Sequence, residues 1–276
     1  MKPAAYALAP TAGERLLRNA VVVYIWLLVA VPLVALVRVG LADGLQSLTH
    51  ALSSPVARAA LWLTLWTSTL VALLNAVLGT ASAWVLVRYK LPGRALVSAL
   101  IDLPLAIPTL VAGMMIAVLY GPLTLVGHAL ELWGMPIMFA RPGIVLALLF
   151  VTLPFVIRAV EPVLMEIDPA EEEAARILGA GPLRTFQTVF LPAIGPAALS
   201  AAIRSLGRAL GEFGSIVIVA GNIPLRTLTA PVYIFGEIES GTPRAAAAVC
   251  VLLLVLALAL HGLASFIERR IGARHA

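Results

Sequence analysis

Hydrophobic residues fall along this chain in long blocks. Six of them reach the roughly 20 residues that a helix needs to cross a hydrocarbon core about 30 Å thick. They cover approximately 20–39, 59–87, 95–120, 143–160, 193–221 and 245–267, the third and fifth being the most interrupted. The blocks are too long and too continuous for the alternating strands of a membrane barrel. Backbone groups in lipid must be satisfied within the segment, so the blocks are read as helices. The chain is therefore expected to be an all-α integral membrane protein, a six-helix polytopic bundle. On this reading 1–19 and 268–276 are tails, and 20–267 is one transmembrane domain with the polar interval 161–191 set into it.

Composition agrees: 61% of the 276 residues are hydrophobic and 12% charged, with a mean hydropathy of +1.02, outside the usual balance of soluble domains. Lys and Arg concentrate in short cytoplasmic loops, which sets the orientation. With the N-terminus inside, Lys2, Arg15, Arg18, Arg88, Lys90, Arg94, Arg158, Arg176, Arg184, Arg269, Arg270 and Arg274 are cytosolic. Arg38, Arg58, Arg141, Arg226 and Arg244 are then outside, a split of 12 against 5 that favours both termini in the cytosol. The net charge of +5 reflects this topology; no basic stripe interleaved with aromatics points to nucleic acid. The first block follows Arg15 and Arg18, but no small-x-small cleavage site follows it, so a retained helix is expected in place of a signal peptide. Cys250 is the only cysteine, which excludes a disulfide framework and a thiolate zinc site.

The interval 161–191 has the most internal order. Asp168, Pro169 and Glu171 supply an N-cap, a first-turn proline and an acid three residues after the cap. A short helix should begin there, with Ala170, Ala174, Ile177 and Leu178 on one small apolar face and Glu171, Glu172 and Arg176 off it. Gly179 serves as a C-terminal cap, Gly181-Pro182 turns the chain, and 183–190 can form a second short helix before Pro192 restarts the fifth block. Such a knuckle fits a groove on a soluble partner. The alternative, an amphipathic element resting on headgroups, is disfavoured by three consecutive glutamates, since an anionic inner leaflet attracts Lys and Arg.

Arg204, Arg208 and Glu212, spaced by four, stack on one face of the fifth block. An Arg near the bilayer centre costs about 2.5 to 3.5 kcal/mol on insertion scales, which favours paired or water-facing positions. One reading pairs Arg208 with Glu212 and Arg204 with Asp102 and makes all four a lock between helices. Gly207, Gly211 and Gly214 permit close approach, either to another subunit or within this one. Pro104 and Pro108 should kink the third block. Ser215, Thr109 and Asn222 are neutral donors by type. The four histidines, His50, His128, His261 and His275, are scattered, with no H-E-x-x-H pair and no G-x-S-x-G elbow, which argues against an intramembrane enzyme.

Glu173-Ala174-Ala175, Gly179 six positions after the glutamate, and Val189-x-Leu191-Pro192 after nine more residues resemble the E-A-A loop of permease subunits of bacterial ATP-binding cassette importers, with Val189 where Ile is usual. Ile107 to Gly113, Tyr120-Gly121-Pro122, Leu153 to Val156, Arg208 to Ser215 and Gly221 to Pro224 look like the T-type subunit of sulfate and thiosulfate permeases. The likeness runs over about 58–267. The Gly-Glu-Phe-Gly element is shared with W-type subunits and molybdate permeases, which leaves molybdate or tungstate as the alternative cargo. The resemblance implies the MetI-like fold of type I importers in the inner membrane. It also implies a W-type partner permease, two ATPase subunits gripping the knuckle through Glu173, Ala174, Ala175, Gly179, Leu191 and Pro192, and a periplasmic sulfate- or thiosulfate-binding protein. Lys2 and Lys90, the only lysines, close no phosphate-binding loop, so ATP and Mg would be used by the partners and this chain would bind no cofactor. The second reading of the buried charges then has Arg204 or Arg208 facing the pathway and easing oxyanion passage, with Glu212 and Asp102 as counter-charges.

Overall fold

The computed structural model describes residues 12–272, with side chains described for 13–267. Lys2, Arg274, His275 and most of the 1–19 tail lie outside these residues. Everything regular within them is helical: α1 (Ala12–Gly40), α2 (Leu45–Ser53), α3 (Pro55–Arg88), α4 (Arg94–Ala106), α5 (Thr109–Tyr120), α6 (Leu125–Leu132), α7 (Arg141–Glu166), α8 (Pro169–Ile177), α9 (Pro182–Thr185), a π turn (Phe186–Phe190), α10 (Leu191–Leu210), α11 (Gly214–Val219), α12 (Ala230–Glu239) and α13 (Pro243–Gly272). Among the described residues five stretches are long and apolar enough to cross a membrane alone, and the bent pair α4 and α5 makes a sixth if counted as one span.

Lipid tails are as apolar as leucine, so helices in a bilayer associate through close packing and interhelical hydrogen bonds. The centre of this bundle, α3 against α7 and α10, follows that rule. Its helices bury Ala60, Ala83, Ala198, Ala201 and Ala209. Gly79 sits so close to α7 that a β-carbon there would lie 2.7 Å from Val156 Cβ. Two apolar clusters stack along this trio. One joins Leu86, Val156, Ile157, Val160, Leu164, Phe190 and Ile194 near the knuckle, and the other joins Leu63, Val71, Ile144, Leu148, Ala209 and Ile216 at the opposite end. Between them Asn75, fully buried, donates its amide to Thr152 Oγ1 at 2.7 Å and Ser205 Oγ at 3.0 Å. One side chain thus fixes the mutual register of three helices. Helix α1 lies outside the trio and packs on α13, where Gly40 meets the Ala247 carbonyl.

The third block is not a kinked helix but two helices meeting at 115° across Ile107–Pro108. Pro108 has no N–H and keeps Ile107 out of the α region, here at φ −90°, ψ 145°. Ser98 and Asp102 on α4 meet Arg158 toward one end of α7, while Ile116 on α5 packs with Ala147 toward the other. The two halves thus touch α7 at different points along its length.

Two other boundaries move. Helix α7 runs through Pro154 and Pro162 to Glu166, beyond the end expected at 160, because neighbouring helices can satisfy carbonyls that a proline frees in a membrane. Helix α9 does not stop before Pro192. It passes through the π turn into α10 as one run from Pro182 to Leu210, and Leu191 N–H reaches back five residues to the Phe186 carbonyl. The block then ends at Leu210 and not at 221: Gly211 to Phe213 break it, and α11 is a separate short helix packed on α5.

Candidate functional site

The knuckle forms as its local chemistry dictates. Asp168 Oδ1 accepts the Ala170 N–H at 2.9 Å, and Pro169 fills the first helical position. At the other end Gly179 has φ +78°, a left-handed conformation that glycine adopts without penalty. Gly179 N–H donates to the Arg176 carbonyl and Ala180 N–H to the Ala175 carbonyl, at 2.9 and 3.0 Å. These bonds satisfy carbonyls that the end of α8 would otherwise leave open.

Helix α8 buries no residue. Ala170, Ala174, Ile177 and Leu178, the expected small apolar face, are all exposed, as is Glu173; Leu178 is 86% exposed. Ala175 is half-buried, and Leu191 and Pro192 are exposed at the start of α10. No atom lies within 4 Å of where a β-carbon on Gly179 would stand. Large apolar side chains grouped on an otherwise polar element mark an interaction surface. Of the three adjacent acids only Glu172 turns inward, where its carboxylate accepts hydrogen bonds from both Arg88 and Arg176.

The second cluster lies at the break after α10. Glu212 is 1% exposed. Arg208 Nη1 lies 2.7 Å from its Oε2, and Ser215 donates both its N–H and its hydroxyl to Oε1 at 3.1 Å. A buried carboxylate is tolerated only when its lone pairs are met in this way. Arg204, Gly207, Arg208 and Gly211 stand at i, i+3, i+4 and i+7 and share one face of α10 and its C-cap. That face is open: nothing stands within 4 Å of a β-carbon on Gly207, and only the Arg208 carbonyl, at 4.0 Å, near one on Gly211. Gly214 is different, since its β-carbon would lie 2.2 Å from Thr109 Oγ1 and 2.9 Å from the Leu110 nitrogen. The three glycines therefore divide, two facing outward and one serving internal packing. Gly214→Ala should cost about 1 to 3 kcal/mol by overpacking α11 against α5, while Gly207→Ala should leave the thermal transition of the detergent-solubilised subunit in place. A thermal melt of both variants checks this.

Asp102 takes a partner that the sequence reading did not give it. Nε and Nη2 of Arg158 lie 2.7 Å from its two oxygens, a bidentate pair. Arg158 Nη2 also donates to the Ser98 hydroxyl at 2.7 Å, Glu161 accepts from Nη1, and Arg94 reaches Glu161 at 3.4 Å. Arg158, assigned to the cytosol by its place near the end of the fourth block, lies within α7, which continues eight residues further to Glu166. The i, i+3 spacing of Arg158 and Glu161 was a signal for part of this cluster. Of the neutral donors, Ser215 and Thr109 join the Glu212 region, whereas Asn222 lies past α11, at φ +53°.

Residues 75–273 match the family model described as binding-protein-dependent transport system inner membrane component. A probable sulfate transport system permease protein cysT of Chlorokybus atmophyticus is 42% identical over 216 residues, covering 78% of this chain and 76% of that protein. The sulfate transport system permease protein CysW of Synechocystis is 38% identical over 249 residues, 90% of each. Among solved structures, a bacterial ABC transporter involved in import of the acidic polysaccharide alginate matches with a TM-score of 0.76 at 21% identity, over 93% of this chain and 95% of that one. The fold is accordingly that of the importer permeases, as the E-A-A resemblance implied.

Proposed function

The chain belongs to the inner membrane components of binding-protein-dependent transport systems, and on that premise we propose that it is the T-type permease half of an ATP-driven sulfate importer. The family is one of non-catalytic permeases, so the work is done elsewhere and delivered here. In this reading two ATPase subunits, using ATP and Mg, grip the knuckle on the inner face of the inner membrane. A W-type permease completes the pathway, and a periplasmic binding protein presents sulfate or thiosulfate. Both termini then lie in the cytosol, in keeping with six passes, the bent pair counted as one, and with the excess of basic residues that remains on the inner side once Arg158 is placed within α7.

The observation that carries the reading is the knuckle surface of Glu173, Ala174, Ile177, Leu178 and Gly179, turned wholly away from its own subunit. Arg204 and Arg208 on the open face of α10 supply positive charge beside the pathway, and Glu212 holds Arg208 in place. Preorganised donors of this kind offset part of the hydration that a dianion loses on entry.

Labelled-sulfate uptake by vesicles carrying the four-subunit assembly, supplied with ATP inside and binding protein outside, tests this. Uptake should require both additions and should resist competition by molybdate. Uptake independent of ATP, or suppressed by equimolar molybdate, overturns the reading.

A further inference from the structure

We propose that Arg88 is a positioning residue for energy transfer: its ion pair with Glu172 ties the knuckle to α3, so that movement of the knuckle is delivered to α3. The proposal rests on the transport reading above and adds the route by which motion leaves the knuckle.

Helix α8 has no apolar anchor. It buries nothing and contributes no residue to any of the apolar clusters. Among the described residues, the Arg88 to Glu172 contact is the only side-chain hydrogen bond joining α8 to an element outside the knuckle. The Glu172 side chain is 14% exposed and sits between two guanidinium groups, Arg88 from α3 and Arg176 from its own helix. Besides the chain connections of α8 to α7 and α9, this ion pair is the side-chain tie between the partner-facing helix and α3.

The same last turn of α3 receives the other half of the knuckle. Phe186 and Phe190 of the π turn meet Trp84 edge-on, with ring centroids 5.5 and 4.7 Å apart. The Arg88 guanidinium lies over both Trp84 and Phe190, 5.5 and 5.0 Å from their centroids. Cation–π contacts hold Arg88 in the orientation that presents it to Glu172. Aromatic bed and ion pair thus converge on residues 84–88.

From there α3 is a stiff rod. Its only proline is Pro55, at the far end. Asn75 lies thirteen residues before Arg88, roughly 20 Å along the helix. Asn75 grips Thr152 on α7 and Ser205 on α10, and Ser205 adjoins Arg204. A shift applied at Arg88 therefore reaches the helix that carries the pathway arginines. The Arg158 cluster joins α4 to α7 and includes no residue of α8.

The test uses the complete transporter in vesicles and compares Arg88→Glu, Glu172→Arg and the double exchange. Co-purified ATPase, basal hydrolysis, stimulated hydrolysis and sulfate moved per ATP are measured. Each single reversal should retain the ATPase subunits and lower sulfate moved per ATP by about three- to tenfold. The double exchange puts a carboxylate at 88 between guanidinium groups at 172 and 176, and should recover at least half of the loss on a logarithmic scale, the remainder being the cation–π contacts with Trp84 and Phe190 that only an arginine at 88 makes. An unchanged ratio in the single reversals, or losses that multiply in the double exchange, overturns the proposal. If a reversal does not insert, Arg88→Gln, Glu172→Gln and their combination carry the same comparison, with the combination no worse than either alone. Failure of the unsubstituted complex to take up sulfate would instead count against the transport reading.

Discussion

Gly179→Asp and Glu173→Lys are each expected to lower sulfate uptake and stimulated ATP hydrolysis together by about a hundredfold, equivalent to about 2.8 kcal/mol at a docking surface, while leaving the subunit in the membrane at its normal level. Folding cannot account for such a loss. At φ +78° an aspartate is strained by only about 1 to 2 kcal/mol, and no atom of the subunit lies where its β-carbon would go. Glu173 is exposed, and it is Glu172 that takes the intramolecular partners. What both substitutions change is the surface offered outward: a bulky anion where close approach is open, and a reversed charge beside Ala174. Desolvated charges that lose or invert their partner at an interface cost several kcal/mol, much more than the same change in water. Immunoblots of membranes, co-purification of ATPase subunits and phosphate release with binding protein and sulfate are the measurements. Stimulated hydrolysis retained in both variants would remove the knuckle from the energy path.

The knuckle was legible in the sequence because its signals are local. Asp168 caps a helix two residues away, Pro169 starts it and Gly179 ends it, and none of these needs to know what the rest of the chain does. The blocks of apolar residues were legible for the same reason, since bilayer thickness alone sets their length. What stayed hidden depends on packing between distant segments. Pro108 announced an interruption, but the 115° turn is held by α11 against α5, where Gly113 would place a β-carbon 2.8 Å from the Ser215 carbonyl oxygen. The fifth block read as one helix to 221 because Gly211-Glu212-Phe213 carries no proline, and glycine within apolar sequence does not mark a break by itself. Asp102 had several arginines of suitable charge, and only the placement of α4 beside α7 selects Arg158. The inward turn of Glu172 between two outward acids likewise comes from the position of α3, which helical periodicity within α8 does not contain.

Arg208→Ala should destabilise the subunit by about 3 to 5 kcal/mol, the cost of leaving Glu212 buried without its cation. Removing both members, in Arg208→Ala/Glu212→Ala, should recover most of that stability, because no unpaired charge then remains in the apolar break. Uptake should follow a different course. Arg208 is 37% exposed on the side-chain scale and lies on the face that Gly207 and Gly211 leave open. Its guanidinium has five donors, and Glu212 engages its Nη1 end. If the arginine also eases the passage of an oxyanion, the doubly substituted subunit should melt nearly as the original does and still transport at least about tenfold more slowly, a barrier increase of about 1.4 kcal/mol. Thermal melts of the purified complex, paired with initial uptake rates, separate the two roles. Rates that return with stability would make the pair a lock between α10 and α11 and nothing more. Rates that stay low in a stable protein place the guanidinium in the path of the anion, with Glu212 and Ser215 as the fixed base from which it is presented.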